Sequence, residues 1–178
     1  MIRALLILVA LGGCATQNSG GWFSVYRDTD APIASKALFD ADRYLGTWHE
    51  VARYPVPFQA GCVNVTATYG LGDDGLLSVL NICRNADGDE TGRITGTAEI
   101  VGPGRLKVRF PSVPFVAADY WVLWTDEDYQ TAVVGAPNGR SGWILNRTPD
   151  IRPDRLQAAK DVLAFNGYDL ARLKEFGE

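Results

Sequence analysis

One histidine, His49, and three cysteines, Cys14, Cys62 and Cys83, have the strongest claim to chemistry in this 178-residue chain. A single imidazole excludes a multi-histidine metal site. It also excludes Ser-His-Asp or Cys-His catalysis unless His49 takes part. Cys62 and Cys83 are not in C-x-x-C spacing, so nothing of that kind lowers a thiol pKa. Glu50, next to His49, could titrate, hold a polar head group, or serve as a hydrogen-bonded structural carboxylate. An enzyme would have to rely on Glu50 and tyrosines. No phosphate loop, G-x-G-x-x-G, G-x-S-x-G or H-E-x-x-H occurs. Asn85-Ala86-Asp87-Gly88-Asp89-Glu90 lacks the ligand spacing of a calcium loop and reads as a polar hairpin turn. No metal and no cofactor are expected.

Cys14 suits a different chemistry. Arg3 is followed by the apolar run Ala4 to Leu11 and then Gly12-Gly13-Cys14. At 1.5 Å per residue this run is far short of a hydrocarbon core of about 30 Å, so it reads as a signal h-region and not a membrane span. Leu11-Gly12-Gly13-Cys14 resembles a bacterial lipobox, in which the Cys thiol is acylated and becomes the mature N-terminus. Ala15 stands where an inner-membrane retention signal would place Asp, so the reading is an outer-membrane lipid anchor, facing the periplasm. Each buried acyl CH₂ contributes about 0.8 kcal/mol to anchoring. Cys62 and Cys83 then remain as an even pair in an oxidising space. Seventeen Lys+Arg against twenty-one Asp+Glu give a net charge of −4 with no basic cluster, which argues against nucleic-acid binding.

The elements that position these residues are strands at short spacing. Eight candidates run over Trp48 to Tyr54, Cys62 to Tyr69, Leu76 to Arg84, Gly92 to Val101, Leu106 to Phe110, Tyr120 to Thr125, Thr131 to Gly135 and Gly142 to Arg147. Turn-rich links join them, as in an antiparallel meander, and closure into a barrel would remove the exposed edges. If Tyr69 pairs with Leu76, then Cys62 faces Cys83 across neighbouring strands, and a disulfide closes a loop of roughly 20 residues. Before the strands, Asp40 can cap a helical turn ended by Gly46. After them, Pro153 opens a helix with Leu156, Ala159 and Leu163 on one stripe and Gly167 at its end, suited to packing outside the barrel. A second short turn from Asp169 would put Leu170, Leu173 and Phe176 on one face. Residues 15–35 are either a flexible spacer or dock through their aromatics.

Three motifs resemble those of the lipocalins. Gly46-Thr47-Trp48 is similar to the G-x-W that opens the first strand. Thr125-Asp126-Glu127-Asp128-Tyr129 is similar to the T-D-x-x-Y turn between the sixth and seventh strands, and Arg147 to the Arg that ends the eighth. The likeness is closest to bacterial outer-membrane lipocalins and their apolipoprotein D-like relatives. It implies an all-β, eight-stranded antiparallel up-and-down barrel with a C-terminal α-helix packed outside. Residues 1–13 would be a lipoprotein signal peptide, 14–38 a lipidated N-terminus and tether, and 39–178 the lipocalin domain. Gly46, Trp48, Thr125, Asp126, Tyr129 and Arg147 are then structural, with the Arg147 guanidinium stacked on the Trp48 indole at a closed base.

Function is expected in the cavity. Alternation from Trp48 sends Glu50, Ala52 and Tyr54 inward, and the resemblance points Trp121 the same way. Tyr54-Pro55-Val56-Pro57-Phe58 and Phe110 to Val116 are apolar loops, either a greasy rim carrying Phe58 and Phe115 or a lid folded inward. The resulting expectation is reversible binding of a fatty acid or lysophospholipid for lipid storage, transport or envelope maintenance. A homodimer is compatible with it. The alternatives are an envelope scaffold that recruits a partner through the rim loops, and a lipid-modifying enzyme on the same barrel.

Overall fold

The computed structural model describes residue 21, residues 24–113 and residues 115–176. A short helix, α1 (Ala41–Tyr44), precedes eight strands: β1 (Gly46–Arg53), β2 (Asn64–Leu71), β3 (Leu77–Arg84), β4 (Glu90–Gly102), β5 (Arg105–Arg109), β6 (Ala118–Thr125), β7 (Thr131–Gly135) and β8 (Gly142–Asn146). Each pairs antiparallel with the next, and β1 pairs with both β2 and β8, so the sheet closes into an up-and-down barrel. Helix α2 (Pro153–Phe165) and a two-residue strand β9 (Lys174–Glu175) follow, β9 adding to the outer end of β1. Cys14 and the apolar run before it lie outside the described residues.

The closed end is built as the motifs imply. Asp40 accepts from the Arg43 N–H at 3.2 Å and caps α1. Gly46, at φ +94, turns the chain into β1, and a Cβ there would come within 3.3 Å of Arg147 Nη1. Trp48 is fully buried, donates its indole N–H to the Tyr44 carbonyl at 2.8 Å, and carries the Arg147 guanidinium 3.7 Å above its ring. Arg147 also donates to the carbonyls of Tyr129, Thr47 and Arg43. In the β6–β7 turn the Asp126 carboxylate accepts from the Gln130 and Thr131 N–H groups at 2.7 and 2.8 Å, and the Tyr129 hydroxyl accepts from the Asp40 N–H at 2.8 Å.

Helix α2 packs outside, with Ala159 and Leu163 fully buried against the outer faces of β1, β6, β7 and β8. Pro153 sits in its first turn, and Gly167, at φ +82, reverses the chain so that the Tyr168 N–H returns to the Leu163 carbonyl at 3.0 Å. The segment beyond differs from the expected second helical turn. One 3-10 turn, Leu170–Arg172, gives way to the extended β9, so Phe176 leaves the face that Leu170 and Leu173 share and sits under the Arg53 guanidinium at 4.0 Å.

Described residues 24–38 lie along the barrel's outside. The Tyr26 N–H donates to Gly139 at 2.7 Å, Asp28 to Gly167 at 2.8 Å and Lys36 to Val122 at 2.8 Å. Arg27 is buried, and its guanidinium donates to the carbonyls of Asn166, Pro137 and Ala31. Satisfying so many donors fixes the strap in place, since a buried guanidinium without acceptors would be costly.

The cysteines do cross-link, with an S–S distance of 2.05 Å and Cα atoms 5.3 Å apart. The expected register is wrong, however. Leu71 pairs with Leu77 around a loop that contains the 3-10 turn Asp73–Gly75, so Val65, and not Cys62, faces Cys83. Cys62 lies before β2 and reaches Cys83 because the β1–β2 loop folds across the end of β3, where the Val63 N–H donates to the Arg84 carbonyl at 2.9 Å.

Candidate functional site

Cross-strand partners share a face, which traces the barrel interior strand by strand. In the closed half, Trp48, Ala67, Tyr69, Leu77, Val79, Ala98, Leu106, Val122 and Leu145 form one cluster with α1, each at most 5% exposed. The same faces continue toward the open end through Asn81 and Cys83, through Ile94 and Gly92 opposite them, and through Phe110, Ala118, Tyr120 and Trp143. Ile94, Phe110, Tyr120 and Trp143 point inward yet stay half-buried.

Three of the expected site residues face the other way, Ala52 and Tyr54 because a β-bulge precedes them and Trp121 by the plain register of β6. β1 shifts register between Glu50 and Ala52, and β6 between Val122 and Trp124. Past each bulge the alternation reverses. Trp48, Glu50 and Arg53 therefore face inward, while Ala52 and Tyr54 join Val51, Leu123, Ile144, Leu163 and Tyr168 in the cluster beneath α2. Ala52 and Tyr54 are fully buried there and do not line the cavity. Trp121 also lies on the outer face, packed against that cluster under the Arg105 guanidinium at 4.4 Å, and its neighbour Tyr120 takes the inward position.

Glu50 is inward and buried, as expected, and it belongs to a polar cluster that the sequence reading missed. Gln59, from a 3-10 turn over Pro57–Gln59 in the β1–β2 loop, donates to Glu50 Oε1 at 2.7 Å and accepts from the Trp143 indole N–H at 3.2 Å. Arg53 lies 3.4 Å from Glu50 Oε2 and donates to the Cys62 and Gln59 carbonyls. Burial pushes the Glu50 carboxyl up to about 7, outweighing the opposite pull of Arg53 and the Gln59 hydrogen bond. Arg53 is lowered for the same reason, loss of water. Only the Pro-x-Pro entry to the loop could have hinted that Gln59 is held so close.

Below this cluster three tyrosines join hydroxyls. Tyr69 donates to Tyr120 at 2.8 Å, and Tyr44 and Tyr120 are 2.8 Å apart. The Tyr120 ring also lies 6.2 Å from the Trp143 ring, stacked at 28°. Burial holds all three hydroxyls above the ordinary phenol range. Asn81 Oδ1 is buried with no hydrogen-bond partner.

The mouth is ringed by apolar side chains. Phe58 is 66% exposed, Phe115 is fully exposed at φ +67, and Val113 and Val116 are about half exposed. These residues form an exposed rim and not an inward lid. Beside them a groove of about 380 Å³ is lined by Thr97, Arg109, Phe110, Val113, Phe115 and Val116. Among the described residues no group of three His, Cys, Asp or Glu side chains could hold a metal ion, and Asn85 Oδ1 closes the β3–β4 hairpin by accepting from Asp87 and Asp89.

Comparison with known proteins agrees with this geometry. Residues 39–177 match the family model described as a lipocalin-like domain. The chain is 42% identical over 137 residues to the outer membrane lipoprotein Blc of Escherichia coli K12, covering 75% of this chain and 76% of that protein. It is 32% identical to apolipoprotein D of Bos taurus, covering 97% and 94%. It is 36% identical over 144 residues to temperature-induced lipocalin-1 of Arabidopsis thaliana, covering 75% and 76%. In fold it is similar to lobster apocrustacyanin A1, with a TM-score of 0.65 and 16% identity over 89% of this chain and 92% of that one. Insecticyanin of Manduca sexta gives 0.64 and 20% over 83% and 86%. With a matched model over most of its length and the three barrel motifs in place, the chain belongs to the lipocalin family.

Proposed function

We propose that this protein reversibly binds one hydrophobic or amphipathic lipid, a fatty acid or lysophospholipid, in the open half of its barrel, for lipid storage, transport or envelope maintenance. The observation that carries this reading is the contrast along the barrel axis. Inward side chains of the closed half are almost wholly buried, whereas Ile94, Phe110, Tyr120 and Trp143 face inward and stay partly accessible. Side chains that fill a barrel leave no such accessible apolar surface within it. Each acyl CH₂ moved from water onto that surface is worth about 0.8 kcal/mol, enough for a long chain to reach micromolar affinity after ordering costs. Phe58 and Phe115 at the mouth suit the passage of an acyl chain.

Acylation of Cys14 and an outer-membrane address facing the periplasm complete the proposal. They are supported by the apolar run before Cys14 and by likeness to proteins named outer membrane lipoprotein. The test is a titration of the full-length Cys14→Ser protein, stripped of lipid, with lysophospholipid and with fatty acid, following tryptophan emission. Saturable one-to-one binding below the micelle concentration is expected, and no saturable response from a folded, disulfide-intact protein would overturn the carrier reading. One observation favours a second reading, recruitment of a partner. The groove beside Phe115 joins the exposed rim residues Val113, Phe115 and Val116 to the exposed Thr97 and Arg109. A protein that binds no lipid but loses a partner on Phe115→Ser would favour that reading.

A further inference from the structure

Two polar atoms on inward-facing residues, one at the floor formed by the tyrosine hydroxyls, have hydrogen-bonding capacity that the protein itself leaves unused. The first emerges from proton bookkeeping among the three tyrosines. Three hydroxyls supply three protons, but only two hydrogen bonds join them. Tyr69 spends its proton on Tyr120. If Tyr120 donated to Tyr44, the proton left over would be that of Tyr44, which is fully buried and whose hydroxyl has no second partner among the described residues. An unmatched buried O–H is costly, so the favoured arrangement has Tyr44 donating as well. Tyr120, the one member that is half-buried and faces the accessible interior, then keeps its proton for whatever lies above it. The second atom is Asn81 Oδ1, an acceptor without a partner.

The register links these two through Tyr69 on one inward surface. Asn81 pairs with Ala67 while Val79 pairs with Tyr69, so Asn81 and Tyr69 are diagonal neighbours on the same inward face, and Tyr69 touches Tyr120. Charge limits what can bind there. Among the described inward-facing residues of β1–β8 the charged ones are Glu50 and Arg53, and Lys174, paired with Arg53 from β9, is exposed at the rim. Arg53 is already engaged by Glu50 and by the Cys62 and Gln59 carbonyls. A second carboxylate deep in the barrel would therefore meet Glu50 without a cation to offset it. The complement of one spare donor and one spare acceptor is an uncharged hydroxyl, which can do both.

We infer that the cavity selects lipids bearing a hydroxyl oxygen on the acyl chain away from the head group, recognised by Tyr120 and Asn81. This rests on the carrier reading above and deepens it. The experiment compares palmitate with ω-hydroxypalmitate on the lipid-stripped, full-length Cys14→Ser protein. A purely apolar floor would weaken binding of the hydroxylated chain by about tenfold or more, because its hydroxyl would lose water and gain nothing. The expected result is that wild type binds it at least as tightly as palmitate. Tyr120→Phe should lower the ratio of the two affinities by about tenfold. Should that variant fail to fold, Asn81→Ala should move the ratio in the same direction. Palmitate binding with rejection of the hydroxylated chain, or a ratio unmoved by either folded variant, overturns the inference alone. No saturable binding of either lipid overturns the carrier reading and this inference with it.

Discussion

Replacing Glu50 by Gln is predicted to flatten the protein's stability between about pH 4.5 and pH 8. The carboxyl sits among Gln59, Arg53 and Trp143, and burial raises it from an ordinary 4.5 to about 7. A raised folded-state pKa means that the native state holds the proton more tightly than the unfolded chain does. Stability from this group is therefore complete below about 4.5 and is lost as pH rises through about 7. A displacement of that size corresponds to about 3 kcal/mol, a large share of a domain's net stability. Gln can still accept from Gln59 through its amide oxygen but cannot ionise, so its curve should lack the decline. His49 works the other way. Burial and nearby Arg84 lower it, so its contribution grows as pH rises through the same region. The comparison is therefore best repeated in a His49→Gln background. The assay is urea unfolding followed by tryptophan emission, disulfide intact, over that pH range. Parallel wild-type and Glu50→Gln curves, or a wild type that gains stability across the window after His49 is replaced, would refute the reasoning.

Other substitutions test the frame. Arg147→Lys keeps a charge but loses the planar stack on Trp48 and the fork that serves three carbonyls, and should cost roughly 2 kcal/mol in urea unfolding. An unchanged midpoint would deny the closed end its latch. Cys62→Ser with Cys83→Ser, which opens a crosslink spanning 21 residues, should cost about 3 kcal/mol on the chain-entropy model, read from the same unfolding curves. Tryptophan at two alanines separates the barrel's faces. Ala118→Trp, inward at the mouth, should lower lipid affinity in the fluorescence titration with little change in stability, whereas Ala52→Trp should destabilise by about 1–3 kcal/mol through overpacking beneath α2. The reverse outcome would show that the faces are misassigned.

Much of the barrel was legible because its turns are made of residues with few other uses. Thr131–Gly135 is bounded as the sequence indicates, and the other seven strands shift by only a few residues at their ends. The closed end was legible for a similar reason. Gly46, Trp48, Asp126 and Arg147 each have one demanding role, a positive φ, a buried indole, a turn acceptor and a stacked fork, and such roles tolerate few residue types. The buried strap was less legible, because Arg27 in a polar stretch resembles any surface arginine until its three carbonyl acceptors are known.

The ligand face was harder to read, and the bulges explain why. Alternation predicts a face only while its phase is kept, and phase is visible only where one side is polar. Val51 to Tyr54 and Tyr120 to Trp124 offer little such contrast, so a one-residue slip in either leaves the pattern unchanged. Both slips serve the same packing demand. After Glu50, Val51 and Ala52 both turn toward the outer cluster, and in β6 Leu123 and Trp124 do the same, so each strand gives two successive side chains to the layer beneath α2. The same turn sends Arg53 inward to meet Glu50 and brings Gln59 over the pair. The polar cluster at the mouth and the apolar seat of the external helix are thus two consequences of one bulge. A variant that straightened β1 would lose helix packing and the Glu50 partners together, where substitutions confined to the cavity would spare the helix.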